Sequence, residues 1–170
     1  MVLCPDLKGT KHLNPGRMMK TLKTFISAIL ISLLAMSAQA DVNRVERFTD
    51  AEVKKVLRDE GYGSVRIIEE GEIRFKAAGN IYVLYNHDDG DLHLYFGSTG
   101  LKLNYEDMNE WNRTTRLSRA YLDNDMDIAL ETDLLSNAGL TQEMIKAMIQ
   151  VFVETSVPRF ITFAQDNDKN

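Results

Sequence analysis

His87, Asp88, Asp89, Asp91 and His93 form the densest run of metal-ligating residue types in the chain. Two imidazoles with carboxylates between them suit zinc or copper. Their spacing matches no zinc-site pattern, and the Asp89-Gly90 step already accounts for the segment as a polar hairpin loop, with His93 on the strand that follows. A metal-binding protein or enzyme centred on the His87/His93 hairpin is therefore the alternative reading, not the leading one. Asp123, Asp125 and Asp127 stand two residues apart, like the opening of a calcium loop. Such a loop needs Gly at its sixth position and Glu at its twelfth. Those positions are Ile128 and Leu134, so an acidic hairpin turn is expected instead. Glu110, Arg113, Arg116 and Arg119 offer either an anion site or an ion-pair network. The acidic balance of the chain favours the network, with Arg116 and Arg119 on opposite faces of a strand and one of them paired with Glu131 or Asp133 across a hairpin.

Other chemistries lack their parts. No nucleophile elbow with a Ser, His and acid in the required order is present, and no glycine loop able to cradle phosphate. The only cysteine is Cys4, so thiol chemistry is excluded from residue 41 onward. The expectation is no catalytic residue, no cofactor-binding residue, no metal ligand and no cofactor.

The positions of Cys4 and of the charges bear on destination. Lys20 and Lys23 precede an apolar run from Phe25 to Met36, and Ala38-Gln39-Ala40 follows. A basic start, a short apolar stretch and a small-x-small site are the parts of a secretory signal, here residues 18–40, cleaved after Ala40. The run falls short of the roughly 20 residues that span a bilayer. Residues 1–17 carry Pro5, Gly9, Pro15 and Gly16 with no apolar period, and read as an upstream extension, with translation beginning at Met18 or Met19. A periplasmic or secreted protein is expected, with no membrane insertion after cleavage. From Asp41 on there are 15 Lys and Arg against 24 Asp and Glu, a net charge of −9. That balance argues against nucleic acid and against an anionic membrane surface as partners.

Residues 41–165 suffice for one core. Thr49 and Glu52 have the spacing of a capping box, with Phe48 placed to staple onto Val53, and Val53, Val56 and Leu57 make a buried stripe up to Gly61. Strands follow at Val65–Ile68 and around Ile73, Phe75 and Ala77. A third, Ile81–Tyr85, is apolar on both faces and so reads as central, and a fourth runs from Leu92 to Phe96. A short helix from Asn104 sets Tyr105, Met108 and Trp111 three residues apart. Arg116–Leu122 and Asp127–Leu134 form a second hairpin, and Thr141 caps a last helix that Pro158 should kink or end. Asp166–Asn170 reads as a polar, frayed tail. The order α-β-β-β-β-α-β-β-α predicts an α+β fold: a mostly antiparallel sheet of about six strands with helices packed on one face.

Trp111, the only tryptophan, lies where the short helix meets the sheet. It is either a core anchor or an exposed hot spot for a partner, and Tyr105 and Met108 on the same side favour the core. A sheet with helices on one side leaves its other face partly bare. Tyr82, Leu84, His93 and Tyr95 are expected to line that face as an aromatic patch, available to a second copy of the chain or to an extended segment of a client.

The stretch Asn109-Glu110-Trp111-Asn112-Arg113, followed by Arg116-Leu117-Ser118-Arg119-Ala120-Tyr121-Leu122-Asp123, resembles the YbjN family, bacterial proteins described as sensory transduction regulators. The acidic turn, the strand Ile128–Leu134 and the Gly139-Leu140-Thr141 lead-in to the last helix fit as well. The resemblance covers roughly Thr49 to Phe163 and is densest in its second half. It implies a fold like that of the small dimeric chaperones of type III secretion, and it supplies no reaction and no catalytic residues. The signal sequence departs from the cytoplasmic members of the family. The expected function is an exported, non-catalytic binding module, chaperone-like or accessory to envelope signalling, with a protein or peptide partner or a second copy of itself.

Overall fold

In the computed structural model, residues 44–169 are described. The predicted segments 1–17 and 18–40 lie outside the described residues. The described residues open on a short bridge, Val45 to Leu140, and a capped helix, α1 (Asp50–Asp59). The predicted capping box is formed. The Thr49 side chain accepts from the Glu52 backbone, and Glu52 Oε2 accepts from Thr49 N at 2.8 Å. Phe48, Val53, Val56 and Leu57 are all buried, and Gly61 turns the chain out of α1 at φ +84°.

Six strands follow: β1 (Gly63–Glu69), β2 (Glu72–Ala77), β3 (Asn80–Asn86), β4 (Leu92–Ser98), β5 (Arg119–Leu122) and β6 (Ile128–Leu134). They form one antiparallel sheet in the order β1-β2-β3-β4-β6-β5. Helix α2 (Tyr105–Thr114) crosses from β4 to β5, capped by Asn104 and Asp107 in a second reciprocal box. The fold is the predicted α+β arrangement, element for element.

The helices cover one face of the sheet. Its inner side carries Ile73, Phe75, Tyr82, Leu84, Leu94 and Phe96, all essentially inaccessible. Pairing register decides which residues these are. Asn86 pairs with Leu92 and Leu84 with Leu94, so residues of equal parity on β3 and β4 share a face. Tyr82 and Leu84 are thus inside, while His93 and Tyr95 stand on the opposite side beside Val83 and Tyr85. The expected grouping of Tyr82, Leu84, His93 and Tyr95 on one bare face is incorrect. Two of its members belong to the core, because the five-residue hairpin loop joins the strands in this register.

The last helix runs as α3 (Gln142–Val151), a π-helical turn (Phe152–Ser156) and α4 (Val157–Asp166). Pro158 does not end it. The wider turn lies one step before the proline, where its ring would otherwise strike the preceding carbonyl, and Phe152, Val153 and Ser156 are buried there. The chain beyond is tied down rather than frayed. Lys102 N donates to Asp168 Oδ1 at 2.8 Å, Lys169 N to Lys102 O at 3.1 Å, and Lys169 Nζ meets Asp107 at 2.6 Å. No helix among the described residues is long and apolar enough to cross a membrane.

Candidate functional site

Two regions compete for function: the joint around Trp111 and the sheet face that carries no helix. The joint is built for stability. Trp111 is 3 % exposed, with its ring edge-on to Phe160 at 5.0 Å and tilted on Phe163 at 5.4 Å. Its indole N–H donates to Ser118 Oγ at 3.3 Å. Trp111 is a core anchor. Tyr105, expected beside it, is 65 % exposed. Each three-residue step along a helix falls about 60° short of a full turn, so Tyr105 has rotated off the stripe that Met108 and Trp111 share.

The next residue does something the sequence does not announce. Asn112 Nδ2 donates to Ala120 O at 2.9 Å, and Ala120 N donates to Asn112 Oδ1 at 2.8 Å. The side-chain amide thus takes the place of a neighbouring strand along the outer edge of β5. Arg116 to Ser118 do not continue β5, as had been expected. Leu117 lies at φ +67° and turns the chain away, so β5 begins at Arg119 and Arg116 lies outside the sheet. Glu110 and Arg113 pair with each other on the surface, at 2.6 Å.

The helix-free face is ordered by cross-strand rows. Arg74, Val83, Tyr95, Glu131 and Arg119 are successive partners across five strands. Glu72, Tyr85, His93 and Asp133 form the neighbouring row. Glu131 is the centre: although it stands on the uncovered face, it is 3 % exposed. One of its oxygens accepts from the Arg119 guanidinium, one of the cross-strand pairs that the sequence leaves open. The other lies 3.2 Å from His93 Nε2, but off the hydrogen-bonding line, so that buried nitrogen makes no hydrogen bond. Burial, and then the Glu131 carboxylate, push the Tyr121 phenol up to about 12. Tyr95 and Tyr85 are also raised, chiefly by burial, with Asp123 and Glu72 adding to it. All three phenols are neutral donors at ordinary pH.

Above this centre the rings form a cluster. Tyr85 and His93 lie 5.5 Å apart, His87 and His93 6.1 Å, and Tyr85 and His87 6.5 Å. Tyr95 folds along its own strand over Gly97, where a β-carbon would lie 2.5 Å from the phenol oxygen. His87 and His93 do come together as neighbours, but as stacked planes. Among the described residues no group of three or more His, Cys, Asp or Glu is arranged to hold a metal ion. The Asp123–Asp127 segment is a tight turn whose Asp123 Oδ1 accepts from Asp125 N and Asp127 N, each at 2.9 Å. That carboxylate is spent on the turn's own backbone. What the face offers is a half-buried platform of Val83, Tyr85, His93, Tyr95 and Tyr121 around one satisfied carboxylate. A separate apolar hollow of about 330 Å³ lies between β6 and α3, walled by Leu134, Met144, Met148 and Phe152.

No curated protein matches the sequence. Among solved structures, the chain is similar to the crystal structure of the Yersinia pestis type III secretion chaperone SycH in complex with a stable fragment of YscM2. The identity is 16 %, the match covers 64 % of this chain and 96 % of that one, and the TM-score is 0.47. Residues 49–163 match the YbjN family, whose description is "Putative bacterial sensory transduction regulator". That span holds all six strands, the Trp111–Asn112 joint and the Glu131 centre, and the chain belongs to the YbjN family.

Proposed function

We propose that this protein is an exported, non-catalytic binding module that holds a protein or peptide segment against the helix-free face of its sheet, in a chaperone-like role or as an accessory to envelope signalling. One observation carries the reading. The five half-buried side chains Val83, Tyr85, His93, Tyr95 and Tyr121 lie together on a face whose only buried charge, Glu131, is already paired. Tyrosine-rich surfaces of this kind give large, rigid, amphipathic contact at little entropic cost. The Glu131 carboxylate at the centre of the platform is taken up by Arg119, which supports binding over catalysis. Export rests on the segment 18–40, and the regulatory setting on membership of the family.

The test is a binding titration with a reduced, chemically unfolded model protein as probe, comparing the native chain with Tyr85→Ala/Tyr95→Ala. Saturable binding that the double substitution weakens about tenfold or more, with the melting temperature held, supports the platform. Equal binding by both proteins refutes it. Export is checked by sequencing the N-terminus of the protein from an envelope fraction, where Asp41 is expected first.

A further inference from the structure

At the β1 end of the same face the chemistry changes. Arg66 and Arg74 are direct cross-strand partners, and Lys76 follows Arg74 on the same side of β2. Like charges placed directly opposite each other oppose strand pairing. Arg74 has a partner in Glu72 at 2.8 Å, whereas Arg66 and Lys76 make no ion pair among the described residues. These cations rim a cavity of about 240 Å³ that also touches Ile68 and Ile81, which are 48 % and 56 % exposed. A chain with a large acidic excess therefore carries a slot with an apolar floor and a cationic rim on which Arg66 and Lys76 are left unpaired. Such a slot fits an acidic segment with an apolar side chain at its tip.

The chain itself displays that segment at the other end of the sheet. The turn between β5 and β6 reads Asp123-Asn124-Asp125-Met126-Asp127. Met126 is 47 % exposed and is held at φ +64° by a turn whose backbone is already satisfied by Asp123. We propose that this turn of one copy enters the Arg66–Arg74–Lys76 slot of another, so that copies associate head to tail. A single copy cannot satisfy itself, because β1 and β5 are the two edges of the sheet, five strand spacings or roughly 24 Å apart. The contact joins unlike surfaces, so each added copy leaves a free slot and a free turn, and the product is a ring or an open chain. Polyanions and anionic bilayers are the poorer occupants, since the acidic remainder of the protein repels them. The slot adjoins the tyrosine platform, since Arg74 is the cross-strand partner of Val83, but Arg66, Lys76 and the Asp125–Asp127 turn lie outside the platform and are tested by their own substitutions.

The experiment is sedimentation of the purified protein from about 10 μM to about 1 mM, in roughly 0.05 M and 0.5 M salt. Mass rising with concentration, and less so at high salt, is expected. Arg66→Glu/Lys76→Glu should weaken association about tenfold or more. This variant should still fold, because Arg66→Glu sets an opposite charge across from Arg74, where like charges now stand, and Lys76 faces Gly63 and Ile81; circular dichroism checks that. Asp125→Lys/Asp127→Lys should weaken association comparably, and the four substitutions combined in one chain should restore it. A protein that stays monomeric throughout overturns the proposal. So does association that neither reversal weakens, or that the combined swap fails to restore, or a monomer that binds the free peptide Asp-Asn-Asp-Met-Asp without ever binding its own kind.

Discussion

Replacing Asn112 by alanine removes one side-chain amide and exposes a backbone problem. Ala120 is 2 % exposed, and both its N–H and its C=O are directed at Asn112. In an antiparallel pair alternate residues turn their backbone groups away from the partner strand, so Ala120 opposite Leu130 has no other mate for them. A buried backbone group left without a partner costs about 1–3 kcal/mol. Two such groups give about 2–4 kcal/mol, after allowing for water reaching part of the vacated space. Urea unfolding followed by far-ultraviolet circular dichroism measures the loss, and the amide of Ala120 should lose protection in hydrogen exchange. Asn112→Leu separates the causes. It refills the space but cannot pair, so it should be destabilised about as much as Asn112→Ala. If leucine restores stability, or if alanine costs less than about 0.5 kcal/mol, then packing or nothing at all explains the residue, and its part in completing the sheet edge is wrong.

Trp111→Ala should cost about 3–5 kcal/mol in the same assay, the usual loss for truncating a buried aromatic, and a melting temperature unchanged from the native chain would contradict its place between Phe160 and Phe163. Arg119→Met leaves the buried Glu131 carboxylate without its cation. Breaking a fully buried pair costs about 3–5 kcal/mol, but the Arg119 side chain is 69 % exposed, so about 1–3 kcal/mol is expected, read from thermal melts. Thr49→Ala should cost about 1 kcal/mol through loss of the helix cap. The hydrogen bond from the Thr49 backbone, and then that from its hydroxyl, hold the Glu52 carboxyl below its ordinary 4.5. The contribution of Glu52 is therefore fully present above that value and fades as pH falls through the lowered one. The melting temperatures of the native chain and Glu52→Gln should differ at pH 7 and converge as pH falls well below 4.5, and a gap that persists in acid would contradict the sign.

Most of the architecture was legible because it depends on local signals. Thr49 with Glu52, and the alternations on β2, β4 and β6, each identify an element from a few neighbouring residues, and those elements formed. What failed depended on register or on distance. Tyr82 and His93 look equivalent along their own strands, and only the pairing of Leu84 with Leu94 shows that they face opposite ways. Tyr105 was misplaced because a spacing of three was extended over two steps, through which the helix turns well off its stripe. Pro158 leaves open a kink or an end because its local clash is real, and nothing nearby in the sequence announces that a π-helical turn accommodates it and carries the helix on. Strand alternation narrows the cross-strand pair to Arg116 or Arg119 with Glu131 or Asp133, and only the register selects Arg119 with Glu131. The near-complete burial of Glu131 has no local signal, since it requires Tyr95 and Tyr121 to close around it from two other strands. Asn112 carries no signal at all: an asparagine in a helix gives no indication that its partner is a backbone eight residues on.

Two of the residues by which the family resemblance is recognised, Trp111 and Asn112, thus bear on function only through structure. Trp111 fastens α2 to the last helix, Asn112 completes the edge of β5, and neither reaches the helix-free face. Yet β5 is four residues long and alternates, with Ala120 and Leu122 inside and Arg119 and Tyr121 outside. The backbone that Asn112 holds is therefore the backbone that delivers Arg119 to Glu131 and Tyr121 to the platform. A substitution at Asn112 should loosen the outer face without touching it, and loss of binding in such a variant reports a displaced strand and not a contact residue. The distinction is measurable: Tyr85 and Tyr95 substitutions should weaken binding with the fold intact, whereas Asn112 substitutions should weaken binding only in step with lost protection at Ala120.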